Sequence, residues 1–167
     1  MKRITKPNSL NSGIGSIYDQ SDSEFFSWLA KAPRMAYELA LAIKSIHWWI
    51  KGHNFLKYHQ YLDELFDSAV KDADYFGELA VELDVNILPL YGSVIEYLTI
   101  AEPEPAIAPI DVYEGLERTR QAITAYVADL KSAYETIDSP HIKAEFDTII
   151  RFWEKVDRYF LRSICCD

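Results

Sequence analysis

The sequence predicts an all-α protein, a four-helix bundle in which helices two and three are joined by one long crossover. Three observations predict it. Four long segments repeat apolar side chains at helical spacing. Short turns join the first to the second and the third to the fourth, so each pair should be antiparallel. About 25 residues separate the second from the third, enough to run the length of a bundle. No strand pattern competes. At 167 residues, 49% hydrophobic and 26% charged, the chain suits one folded domain with its own core and not a disordered polymer.

Residues 1–21 are rich in Ser, Asn and Gly without an apolar period, and are expected as an N-terminal arm preceding one bundle domain over 22–167. Residues 22–31, SDSEFFSWLA, predict a short helix. Pro33 then suits the first turn of a longer one, where its missing N–H costs nothing. That helix should run over about 34–51, with Met35, Leu39, Ile43, Ile46 and Ile50 inward, and stop at Gly52. The second should span about 55–84, with Leu62, Phe66, Ala69, Ala73, Phe76, Ala80 and Leu83 inward. A short helix over Ser93–Ile100 and a rigid, proline-rich extended piece over 101–109 fill the crossover. Asp111 is placed to cap a third helix over about 111–137, with Val112, Leu116, Ile123, Tyr126, Leu130 and Ile137 inward. Ser139 caps and Pro140 starts a fourth helix over about 139–164, with Ile142, Phe146, Ile149, Trp153, Val156 and Phe160 inward. One long central connection makes this a ferritin-like bundle and not a simple up-and-down one.

Charge and cysteine content narrow the function. A net charge of −9 repels a phosphate backbone and favours cations. No apolar run reaches membrane-spanning length and no apolar stretch follows the basic residues at the start, so a cytoplasmic protein without a membrane partner is expected. Cys165 and Cys166 are adjacent and read as free thiols.

Three of the four histidines, His47, His53 and His59, fall within a short stretch around the first turn. His47 lies on the apolar stripe, in step with Ile43 and Ile50. On the second helix, His59, Asp63, Asp74 and Glu78 form a polar stripe beside the core. Asp74 and Glu78 are i, i+4 neighbours whose carboxylates can converge on one ion. His53 and His141 are expected to be exposed at turns. Taken singly, His47 reads as a satisfied core histidine and the acidic pair as a solvated face.

From His59 to Asp74 is about 22 Å along a helix at ~1.5 Å per residue, so no ion joins them within one chain. A twofold axis does. Two copies of the second helix, antiparallel about a centre near Ser68, set His59 of one chain against Asp74 and Glu78 of the other. Two equal sites per dimer follow. Imidazole with carboxylate suits iron(II) or zinc better than calcium or magnesium. The Glu-x-x-His pattern of a di-iron site within one bundle is absent from the chain.

The run His47-Trp48-Trp49-Ile50-Lys51-Gly52-His53-Asn54-Phe55, followed by His59, Asp63, Asp74 and Glu78, resembles the mini-ferritins of the Dps family (DNA-binding protein from starved cells). The resemblance is specific over residues 43–80 and extends in helical layout over about 22–164. It implies a ferroxidase centre with His47 and His59 as imidazole ligands, Asp74 and Glu78 from the twofold-related chain, Asp63 as accessory ligand and Trp48 beside the site. It further implies a hollow dodecamer that oxidises iron(II), preferably with hydrogen peroxide, stores the ferric product and limits oxidative damage. Three departures stand out. Trp49 replaces the usual Asn, Leu79 replaces an Arg after the glutamate, and the arm carries only Lys2, Arg3 and Lys6, which argues against DNA binding. The first two keep a second possibility in view, a Dps-like cage or coat with a weakened or zinc-filled site and no ferroxidase activity.

Overall fold

The computed structural model describes residues 20–87 and 109–165. The bulk of the expected arm, the Ser93–Ile100 helix, almost all of the proline-rich piece and Cys166 lie outside the described residues.

In chain order, α1 is Gln20–Leu29, α2 Ala32–Trp49, β1 Ile50–Lys51, α3 Phe55–Glu82, β2 Ile110–Asp111, α4 Val112–Glu135 and α5 Pro140–Cys165. The four long helices form the ferritin-like bundle that the apolar periods require. Helix α2 packs chiefly on α3 and α4 on α5, as the short turns dictate, and α2 also packs on α4. Among the described residues, no helix is long and apolar enough to cross a membrane.

The caps fall where the side chains can make them. Pro33 lies in the first turn of α2. Asp111 accepts a hydrogen bond from Tyr113 N–H at 2.9 Å, satisfying a donor that the start of α4 leaves open. Ser139 Oγ accepts more loosely from Ile142 N–H at 3.5 Å.

The core is continuous from end to end. Leu62, Phe76, Leu116, Ile123, Leu130, Phe146, Trp153 and Phe160 are fully buried. On α5, Ile150 is buried where Ile149 was expected, a rotation of one residue; Ile149 packs at the margin. The short α1 closes one side. Its Trp28 meets Phe76 edge-on at 5.3 Å and Phe146 at 5.4 Å.

One feature departs from the expected layout. Helix α2 stops at Trp49, and Ile50–Lys51 pairs in parallel with Ile110–Asp111. Two residues are too few to leave an alternating pattern, so the sequence carries no sign of the pairing. The bridge ties the end of the crossover to the α2–α3 turn. Two glycines make it possible. Gly52 has φ +112°, and Gly115 lets Ile50 and Ile46 reach the backbone of α4.

Candidate metal centre

The α2–α3 turn brings His47, at the end of α2, onto His59, in the opening turns of α3. Their rings stack with centroids 3.6 Å apart and planes inclined by 22°. His47 Nδ1 lies 2.8 Å from the carbonyl oxygen of His59, and His59 Nδ1 lies 2.9 Å from that of His47. A carbonyl oxygen only accepts, so each Nδ1 carries the proton and donates. In its neutral form each ring then keeps its lone pair on Nε2, the state a metal requires. His47 is buried, and burial pulls its pKa below the ordinary value, outweighing the hydrogen bond to the His59 carbonyl, which acts the other way. The Phe55 ring lies 4.8 Å from that of His59 and supports it on the turn side.

Asp63, one turn beyond His59 on the same helix, points to a different partner. Its carboxylate is hydrogen-bonded and ion-paired by Lys44 of α2, one turn before His47. The ammonium also lies 4.9 Å above the Phe66 ring. The hydrogen bond from Lys44 is the main reason the Asp63 carboxyl sits below its ordinary range. The sequence reading singled out Asp63 and missed Lys44. The signal was available, since Lys44 precedes His47 by three residues and so shares its side of α2.

Asp74 and Glu78 are exposed on α3 and, among the described residues, have no hydrogen bond or ion pair. Within one chain no three potential ligands cluster among the described residues. His53 and His141 are exposed.

A second polar group was not foreseen. Asp72 sits among α3, α4 and α5 and accepts hydrogen bonds from Trp153 Nε1 at 2.6 Å and Tyr126 Oη at 3.1 Å. Its largely desolvated carboxyl is pushed up to about 6, burial outweighing the two donors. Nearby, Tyr75 donates to Glu145 at 2.5 Å. Asp72 was legible in principle, because it lies four residues before Phe76 and three after Ala69, flush with the core stripe.

The ferritin-like domain family model matches residues 29–145. Two proteins named DNA protection during starvation protein, from Listeria innocua and Listeria monocytogenes, are each 26% identical to this chain, covering 70% of it and 74% of their own length. Among solved structures, the tetragonal form of Mycobacterium smegmatis Dps superposes with a TM-score of 0.73 at 18% identity, covering 91% of this chain and 92% of that one. Dps from Microbacterium arborescens in its high iron form gives 0.73 at 21% identity, covering 89% and 97%. The chain belongs to the ferritin-like domain family, and within it is similar to Dps proteins.

Proposed function

We propose that this protein is an iron-storing mini-ferritin whose ferroxidase centres form between subunits. His47, His59 and Asp63 of one copy face Asp74 and Glu78 of its twofold mate, and the dimers assemble into a hollow homo-oligomeric cage, a dodecamer. The observation that carries the reading is the reciprocal histidine pair. With both Nδ1 atoms engaged, Nε2 of each ring is left for a ligand, and helical spacing puts His59 on the side of α3 that also bears the exposed carboxylates of Asp74 and Glu78. Exposed Tyr37, Leu41, Trp48, Phe55 and Leu56 lie on the neighbouring surface and suit a face covered by another copy.

Iron(II) is the substrate. Neutral imidazoles hold the ferrous ion, and ionised carboxylates favour the ferric product. Two iron(II) ions each give one electron to hydrogen peroxide, which takes up two protons and leaves as two waters. Delivering both electrons together avoids releasing hydroxyl radical. The acidic chain, at −9, attracts the incoming cations.

Stopped-flow measurement of peroxide-driven iron(II) oxidation tests this. His59→Ala, and separately Asp74→Asn with Glu78→Gln, should each slow the reaction by at least about 100-fold, beyond the 10–100-fold seen for groups one shell further out. Wild-type rates in both would refute the centre. Mixing the two variants should restore part of the activity, because hybrid dimers regain one intact site.

A further inference from the structure

Three exposed apolar residues on this face have no role in metal binding. Leu56 is 65% exposed, Val81 75% and Trp48 67%. Leu56 and Val81 stand near opposite ends of α3 on nearly the same azimuth, about 20° apart at 100° per residue. They are also equally far from the helix centre near Ser68. The antiparallel register that sets His59 against Glu78 therefore sets Leu56 of one copy against Val81 of the other, at both ends of the interface.

Gly77 adds a second, independent mark. It lies inside α3, where glycine is destabilising relative to alanine, yet a Cβ there would meet nothing within 4 Å. The single chain gives no packing reason for glycine. In the same register Gly77 lies opposite Gln60 of the partner subunit, beside the His59 whose ring stacks on the residue before Trp48.

We propose that these residues form an apolar seal around each between-subunit centre, with a second copy of this chain as occupant: Leu56 packs on Val81 of the partner subunit, and Trp48 settles over Gly77 of the partner subunit. The seal positions the ligands and excludes water, which strengthens the charge interactions within. It rests on the register of the proposed function and assigns residues that the ligand set does not include.

A charge swap tests the pairing. Leu56→Asp and Val81→Lys are surface changes that leave the fold of one chain intact, which circular dichroism checks. Each alone should weaken subunit association in sedimentation analysis by about tenfold or more, and the double variant should return to within about threefold of wild type as the new charges meet across the interface. Gly77→Leu, which has room within its own chain, should weaken association, and adding Trp48→Gly should restore it. Unchanged association in the single variants, or no rescue in the doubles, overturns the seal. If His59→Ala abolishes iron oxidation while the Leu56 and Val81 variants assemble as wild type, the seal fails and the centre stands. If His59→Ala is silent as well, the underlying reading fails with it.

Discussion

His47 and His59 fix each other: each ring donates its Nδ1–H to the other's backbone carbonyl, at 2.8 and 2.9 Å. Neither ring can turn without breaking its own bond and the stacking contact of both. The pair is thus set by the fold alone, and under the proposed function the cost of ordering these two side chains would fall on folding instead of on metal binding.

His47→Phe should separate structure from chemistry. The ring volume and stacking survive, but the lone pair is lost and a carbonyl loses its donor. Unfolding stability should drop by about 1–3 kcal/mol, while divalent-cation binding at the histidine side should fall by at least about 100-fold. Thermal denaturation and cobalt(II) absorption titration check the two effects.

Protonation of His47 competes with metal. Because burial lowers its pKa, this ring stays unprotonated below the ordinary 6.5. The contribution of His47 to metal affinity should therefore persist as pH falls through 6.5 and be lost only below that point. A cobalt(II) titration over a pH series, in wild type and His47→Phe, should show this acid-side difference.

Under the proposed ligand set, Lys44 would compete with metal for Asp63. Removing it in Lys44→Met leaves the carboxylate free to turn to an ion, and tightening of first-metal binding by about tenfold is expected. Calorimetric titration with zinc checks it. An unchanged affinity would mean that Asp63 stays out of the metal's reach.

Asp72 should make stability fall as pH rises. Its pKa is raised on folding from an ordinary 3.8 to about 6, so the native state binds the proton more tightly than the unfolded chain does. The resulting stabilisation is complete below about pH 4 and is lost as pH rises to about 6, a change of about 3 kcal/mol at ~1.4 kcal/mol per unit. Asp72→Asn keeps an acceptor for Trp153 and removes the buried charge. It should flatten that slope and raise stability at pH 7 by about 1–2 kcal/mol. Denaturant unfolding of metal-free protein at pH 5 and pH 7 measures both.

Gly115→Ala should damage the joint between α4 and the histidine turn. The added methyl would fall inside the contact distance of Ile50 Cγ2 and 3.1 Å from Ile46 Cγ2. Overpacking of this kind costs about 1–3 kcal/mol. A lowered melting temperature, with iron oxidation slowed more than by a core change far from the turn, is the expected outcome.

The long helices were readable because burial on one face forces a period, and their caps because Asp111 and Ser139 are chemically suited to the positions they hold. The meeting of His47 and His59 was readable because His47 interrupts an apolar stripe and His59 opens the next helix across a short turn. Other features were legible only in part. The spacing puts Lys44 on the side of His47 and Asp72 flush with the core stripe, but their partners, Asp63 for the first and Tyr126 and Trp153 for the second, depend on how separate helices are rotated against one another, which no single helical period records. The pairing of Ile50–Lys51 with Ile110–Asp111 depends on where a distant segment returns.

That small parallel pairing has a consequence for how the polypeptide could be divided. It clasps the returning strand beside the imidazole turn, while α2 packs on α4 through the shared interior. Severing the chain between residues 88 and 108 would leave two helical hairpins that retain a mutual recognition surface. Co-expressed as separate fragments, they should reassemble with the imidazole turn intact.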